Sequence, residues 1–232
     1  MTDRLPRPYP TICWKRVGIW SAAAIAAIGA AHVLDPAAHA LIRYDRLPLK
    51  NLAELDWQRL LRVLGSLYPW VAIGAVLVLI DRARPVRPLM KDGLSRAAIV
   101  LVSVALAGAA AEALKVLIRR LRPPKEPPME LFDYTFRPFV EGWSSSGLGM
   151  PSSHSAVAGA GLFALTRLEP RLVPIALVLI PLAALSRVAS VAHYLSDAVV
   201  GALVGVLIAW LTWRTHLRLF ARPTEYDRSP DA

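Results

Sequence analysis

The chain has 232 residues, of which 55% are hydrophobic and 19% are charged, and its mean hydropathy is +0.44. A soluble domain carries about a quarter charged residues, so this composition excludes an ordinary water-soluble enzyme and also a disordered chain. The single cysteine, Cys13, excludes an intrachain disulfide and a cysteine-based zinc site. The net charge of +10 in such an apolar chain favours contact with anionic lipid headgroups over nucleic acid, for which no recognition motif is present.

Six apolar runs predict an all-α fold, a bundle of six membrane-spanning helices. In chain order they are residues 17–34, 63–80, 97–114, 155–166, 172–185 and 198–213. A helix needs about 20 apolar residues to cross a bilayer, so the shorter runs must extend through flanking polar residues. Buried helices of a soluble protein are the alternative, but the polar stretches are all under about 30 residues, too short to form a surrounding domain.

The runs divide the chain into an arm at 1–16, a membrane domain at 17–216 and a tail at 217–232. Six crossings place both termini on one side, which carries 15 of the 27 Lys and Arg and is therefore predicted to be cytoplasmic. A cleavable signal peptide is the alternative for the first run, since Ala38-His39-Ala40 looks like a cleavage site. The run is longer than the usual apolar core of such peptides.

The first polar cluster closes the third run with Lys115 and Arg122, followed by Pro123. The two cations are seven residues apart, or two helical turns, so they project from the same face of a helix. Pro123 then ends the helix. A basic flank that stops membrane insertion is the alternative, and Arg119 and Arg120 fit that description.

The second cluster, Pro151-Ser152-Ser153-His154, opens the fourth run. Serine before an apolar run predicts a helix N-cap. The free backbone N–H groups and the dipole of a helix N-terminus suit a phosphate, and His154 would lie in the first turn beside it. A plain capped helix with an incidental histidine is the alternative.

The third cluster joins the fifth and sixth runs and contains Ser186, Arg187, His193 and Asp197. If the segment is helical, Asp197 can accept a hydrogen bond from one ring nitrogen of His193 and orient the other, as in an activated nucleophile or base. A salt bridge at a helix start is the alternative. Counting crossings places all three clusters at the same membrane face.

In order and spacing, these clusters resemble the type-2 phosphatidic acid phosphatase and vanadium haloperoxidase superfamily. The family pattern is Lys-x6-Arg-Pro, then Pro-Ser-Gly-His, then Ser-Arg-x5-His-x3-Asp. The chain matches it over about residues 60–215, with Ser153 where the family usually has glycine. Serine keeps the backbone N–H but lacks the freedom of glycine for close approach to phosphate, which bears on rate and substrate range.

The resemblance implies that His193 attacks phosphorus, that Asp197 orients it and that His154 protonates the leaving oxygen. It implies further that water hydrolyses the resulting phosphohistidine. The residues that hold the phosphoryl oxygens are then Lys115, Arg122, Arg187, Ser152 and Ser153. Fixed cations and a helix N-terminus can neutralise a phosphoryl group without metal, so neither a metal nor another cofactor is expected.

Three further features surround these clusters. Glu112 lies one turn before Lys115 and is expected to position it, with snorkelling to the interface as the alternative.

The aromatic, proline-rich loop 123–150 predicts an interfacial lid over the site, and its acids, among them Glu126, Glu130, Asp133 and Glu141, are expected to be solvated. Residues 51–61 predict a short interfacial helix that uses Leu52, Leu55 and Leu60, and the Gly201-x3-Gly205 motif predicts close helix packing.

The sequence therefore predicts an integral membrane phosphatase of lipid phosphates or diphosphates, with the bilayer and its lipid substrate as partners. A bacterial inner membrane with the site facing the periplasm is the expected location. A phosphotransferase with the same phosphohistidine is the main alternative. A haloperoxidase is disfavoured because that branch of the family is soluble, and a transporter or scaffold would not need His193.

Overall fold

The computed structural model describes residues 14–43, 56–83, 93–124 and 132–220. Most of the predicted N-terminal arm, the end of the predicted tail, Leu52, Leu55 and the acids Glu126 and Glu130 lie outside these ranges. Within them the chain forms seven α-helices, α1 to α7, together with short 3-10 turns and two isolated bridges but no strand. The helices are Trp14–Arg43, Asp56–Leu64, Tyr68–Arg82, Gly93–Ile118, Ser153–Leu168, Val173–Ala189 and Leu195–Phe220.

The helices match the apolar runs, but they do not all have the length of a membrane span. Four described segments are long and apolar enough to cross a bilayer, namely Trp14–Ile42, Arg96–Ile118, Pro170–Ala189 and Leu195–Leu219. A fifth span results if the bent pair of α2 and α3 counts as one. The all-helical membrane fold is therefore confirmed, whereas six crossings stay a prediction.

Helix α5 is short because protein surrounds it. Its 16 residues extend about 24 Å at 1.5 Å per residue, less than the roughly 30 Å of a bilayer core. Ten of them are buried, and most are alanine or glycine. The helix packs against α4, α6 and α7, so small side chains allow these longer helices to approach it closely.

The Gly201-x3-Gly205 motif of α7 provides one of these close contacts. A Cβ atom at Gly201 would overlap the carbonyl oxygen of Ser152, and one at Gly205 would overlap that of Ala156. The predicted close packing is therefore confirmed, and it joins the start of α5 to α7. This contact fixes the second polar cluster against the third.

Helix α1 is longer than the first apolar run. It continues from Asp35 through Pro36 to Arg43, beyond the end of that run at residue 34. Pro36 removes one backbone donor but not the flanking hydrogen bonds, and the carboxylate of Asp35 is bound by other segments, as described below. The second half of α1 thereby reaches the polar end of the bundle.

Helices α2 and α3 meet at an angle of 66°. The second apolar run began at residue 63, but Val63 and Leu64 belong to α2, and α3 begins at Tyr68. Gly65, at this bend, allows the chain to approach His154 closely, because a Cβ atom there would lie 2.6 Å from the Cβ of His154. The described part of the predicted interfacial helix is thus present, with Leu60 71% exposed and Leu61 buried.

Candidate active site

Lys115 lies in the last turn of α4, where it is 3% exposed and bound on two sides. Its Nζ donates to Oε1 of Glu112 at 2.6 Å and to Oγ of Ser153 at 2.5 Å. The Ser153 hydroxyl itself donates to Glu112. The predicted contact between Glu112 and Lys115 is therefore formed, and Ser153 joins it from α5.

The Ser152 side chain caps α5, as the sequence predicted. Its Oγ accepts a hydrogen bond from the backbone N–H of Ser155 at 3.4 Å, and the residue is fully buried. Its own backbone N–H donates to the carbonyl of Asp197 at 2.9 Å. The amides of Ser153 and His154 that follow are first-turn groups with no partner within the helix.

His193 and Asp197 lie together, although not on one helix. His193 belongs to the turn between α6 and α7, and Asp197 belongs to the first turn of α7. The His193 Nδ1 lies 3.7 Å from Oδ2 of Asp197, too far for a hydrogen bond, and it has no other partner in the described part of the chain. Catalytic hydrogen bonds are often this long before substrate binds.

The Asp197 carboxylate is bound by a residue to which the sequence gave no function. Arg120, 2% exposed, donates from Nη2 to Oδ1 of Asp197 and to Oγ of Ser196, the latter at 2.7 Å. The backbone N–H of Tyr194 donates to Oδ2 of Asp197 at 2.9 Å. Arg120 is therefore not a solvated flank of the third run, because its charge is buried against the carboxylate that faces His193.

Asp35 of α1 extends this network. Its Oδ1 accepts from the backbone N–H of Ser196 at 2.9 Å, and its Oδ2 accepts from the Tyr134 hydroxyl at 2.5 Å and from the Ser196 hydroxyl. The Arg120 guanidinium lies 4.6 Å from the centre of the Tyr134 ring. No sequence pattern indicated this role, since Asp35 only marked the end of an apolar run.

Arg119 likewise differs from its predicted role. It is 1% exposed, and its guanidinium donates to the carbonyls of Arg137, Pro138 and Gly142 at 2.7–2.9 Å. These bonds hold the described part of the predicted lid against the end of α4. The exposed side chains of Phe139, Val140 and Trp143 then face outward, as expected of a segment at a membrane interface.

The remaining predicted cations have few partners. Arg187, at the end of α6, is 9% exposed, and its Nε has no hydrogen-bond partner in the described part of the chain. Arg122 is exposed and donates from Nε to the Leu148 carbonyl at 3.2 Å. Both charges act on His193, so both lie near the proposed nucleophile and remain available to an anion.

Burial sets the protonation of two groups in the loops. It lowers the pKa of His193 below its ordinary 6.5, and Asp197 opposes this while Arg187 and Arg122 add to it. His193 is therefore neutral at pH 7, as a nucleophile must be. Burial and the Asp35 carboxylate raise the pKa of Tyr134 to about 12, so its hydroxyl remains a donor.

The predicted site residues therefore converge at one end of the bundle. His154 follows Ser153, which is bonded to Lys115, and Ser152 is bonded to Asp197, which lies 3.7 Å from His193. Three cations, two histidines and a helix N-terminus can neutralise a phosphoryl group, attack it and protonate its leaving oxygen.

Comparison with known proteins agrees with this geometry. Residues 96–221 match the family model of the PAP2 superfamily. The fold is similar to the crystal structure of a transmembrane PAP2-type phosphatidylglycerolphosphate phosphatase from Bacillus subtilis, with 21% sequence identity and a TM-score of 0.58. That likeness covers 88% of this chain and 96% of the other. The comparison with curated proteins finds no match.

Proposed function

The chain belongs to the PAP2 superfamily, and from that premise we propose that it hydrolyses a membrane lipid phosphate or diphosphate without metal. The observation that carries this proposal is the convergence of His154, His193 and three cations where four helices end. The exposed apolar surface of these helices supports a location in a bilayer, where lipid substrates are found.

The chemistry begins with attack by Nε2 of neutral His193 on phosphorus. The N–P bond forms as the bond between phosphorus and the leaving oxygen breaks, and His154 supplies a proton to that oxygen. Water then attacks phosphorus, the N–P bond breaks and inorganic phosphate leaves. Asp197 stabilises the charge that the His193 ring acquires in the first step, because its carboxylate lies 3.7 Å from Nδ1.

The cations neutralise the charge that moves onto the phosphoryl oxygens. Lys115 is held in place by Glu112 and Ser153, so its orientation costs little when substrate binds. Arg187 is buried and has unused donor capacity, which a phosphoryl oxygen would satisfy. The first amides of α5, at Ser153 and His154, supply further donors at a helix N-terminus.

The distribution of Lys and Arg supports a location for the site on one side of the membrane. If both termini are cytoplasmic, as the distribution of Lys and Arg favours, the site faces the opposite side of the membrane. In a bacterial inner membrane this is the periplasmic side. A lipid headgroup at that surface would reach His193 while its chains remain among the helices.

Phosphate release tests the proposal directly. The full chain, purified in detergent with EDTA, would be given a panel of lipid mono- and diphosphates that includes phosphatidic acid and phosphatidylglycerophosphate. We expect release by the wild type and a loss of at least about 10³-fold in His193→Ala.

His216→Ala is the matched control, because His216 lies near the far end of α7, and it should keep full activity. Release that requires a divalent metal, or that survives in His193→Ala, would contradict the mechanism. Transfer to an added lipid acceptor without hydrolysis would identify the phosphotransferase instead.

A further inference from the structure

Helix α2 brings a fourth cation, Arg62, to the site from outside the segment that matches the family. Gln58 is buried and donates from Nε2 to the carbonyl of Ser186 at 3.5 Å, next to Arg187. Seven residues later, Gly65 lies against the backbone of His154. Helix α2 therefore extends from the end of α6 to the start of α5, across the edge of the site.

Arg62 lies on the part of α2 that crosses this edge. It follows Gln58 by four residues, so the two share a face of the helix. Its carbonyl accepts from the N–H of Gly65 at 3.0 Å, which fixes its position relative to the contact with His154. The charge of Arg62 interacts with those of Arg187 and His154.

Arg62 has no counter-charge among the residues that the structure describes. Its side chain is exposed, and across the described ranges no carboxylate forms an ion pair with it. Arg59, one turn earlier, differs in that its Nη1 lies 3.9 Å from Asp56. Arg187 also lacks a carboxylate partner in these ranges and keeps a buried Nε without an acceptor.

The arginines therefore form a group of like charges. The charges of Arg62 and Arg122 both act on Arg187, and this repulsion favours occupation by an anion. With Lys115, the site presents four cations, more than one phosphoryl group of charge −2 requires.

The geometry of phosphoryl transfer indicates where a second phosphoryl group of the substrate would lie relative to Arg62. The attacking and leaving atoms lie roughly in line on opposite sides of phosphorus. With His193 as the nucleophile, the leaving oxygen lies beside His154. In a diphosphate, that oxygen carries the second phosphorus, which then extends beyond His154 towards α2.

We propose that Arg62 binds the second phosphoryl group of a lipid diphosphate and makes this chain prefer diphosphates to monophosphates. This inference rests on the proposed function and specifies its substrate class. When the bond between the terminal phosphorus and the bridging oxygen breaks, negative charge develops on the departing lipid monophosphate. Arg62 stabilises that charge, whereas an alcohol leaving from a monophosphate offers it none.

The test compares a prenyl diphosphate and the monophosphate of the same prenyl chain as substrates. Purified wild type, Arg62→Ala and Arg62→Lys would be assayed, with Arg59→Ala as the matched control on the same helix. We expect wild type to have the higher kcat/KM on the diphosphate. In Arg62→Ala the ratio of the two kcat/KM values should fall by about 10- to 100-fold, as for loss of a hydrogen bond to a charged group.

Arg62→Lys should recover part of this ratio, and Arg59→Ala should keep all of it. An equal loss on both substrates in Arg62→Ala, or no loss on either, would overturn the inference. A wild type that hydrolyses the monophosphate but not the diphosphate would overturn it while leaving the proposed function intact. A wild type that hydrolyses neither, nor any lipid of the wider panel, would overturn both.

Discussion

The four helices that the family model covers and the three that precede them contribute to the site in different ways. Helices α4 to α7 and the segments that join them carry every residue that the motifs predicted, from Lys115 to Asp197. Helices α1 to α3 carry none of them, yet α1 binds Ser196, next to Asp197, and α2 binds the carbonyl of Ser186 at the same end of the bundle.

The contacts from the first region are specific. Asp35 of α1 binds Ser196 and Tyr134, which also contact Arg120. Gly65, after α2, packs on His154. In the proposed mechanism, one region supplies the reacting groups, whereas the other fixes their positions and, through the proposed role of Arg62, adds to substrate selection.

The largest expected effect within this comparison concerns Arg120, which links the two regions. Arg120→Met leaves the buried Asp197 without its main counter-charge, and such losses destabilise a fold by about 3–5 kcal/mol. Misplacing a catalytic group by about 1 Å can cost about 10²-fold in rate. We therefore expect kcat to fall by about 10²-fold with a smaller change in KM, measured by steady-state kinetics.

Arg96→Met is the matched control for Arg120, because Arg96 is paired at 2.7 Å with Asp81 at the opposite end of the bundle. It should keep kcat. Arg120→Lys, which keeps the charge, should restore folding if Arg120→Met unfolds, and its kcat should lie between those of wild type and Arg120→Met. A folded Arg120→Met with unchanged kcat would show that Arg120 does not position Asp197.

A smaller effect is expected from the first region itself. Asp35→Asn keeps the shape of the side chain but turns one of its two acceptor oxygens into a donor, facing the donors of Ser196 or Tyr134. Since Asp35 acts on Asp197 only through Arg120 and Ser196, we expect kcat to fall by about tenfold.

Asp81→Asn is the control for Asp35→Asn, because it removes the carboxylate that pairs with Arg96 at the end of the bundle opposite the site. It should leave kcat unchanged. If Asp35→Asn lowered stability in a thermal unfolding experiment but not kcat, α1 would support the fold alone.

The smallest effect is a displacement of the pH profile. His193 must be neutral to attack, and burial lowers its pKa below the ordinary 6.5. On lowering the pH, the loss of kcat/KM that accompanies protonation of His193 should therefore begin only below 6.5. A decline that begins above pH 6.5 would mean that the charge of Asp197 outweighs burial at this ring.

The sequence could predict the reacting groups because each cluster is local. Lys115 and Arg122 close the same apolar run, although the predicted shared helix face is wrong because α4 ends at Ile118 and Arg122 lies beyond it. Ser152 caps the helix that follows, and Asp197 is four residues from His193. Their meeting at one face follows from counting helices alone. The family prediction drawn from these motifs is confirmed by the match over residues 96–221.

The supporting groups could not be predicted in this way. An arginine run at the end of an apolar helix is typical of a solvated flank, and only the fold distinguishes the buried Arg119 and Arg120 from such residues. Asp35 is 161 residues from Ser196 in the chain. No local pattern joins residues so far apart, because their contact depends on how α1 packs against α7.

Capture of the phosphoenzyme tests the central claim, a covalent intermediate on His193, most directly. Wild type and His193→Ala would be mixed with a lipid phosphate carrying a radiolabelled terminal phosphoryl group, in EDTA, and quenched in alkali within milliseconds. The account predicts a protein-bound label on wild type that is stable in alkali, lost in acid and absent from His193→Ala. Release of phosphate by wild type without such a label, or a label that persists in His193→Ala, would contradict it.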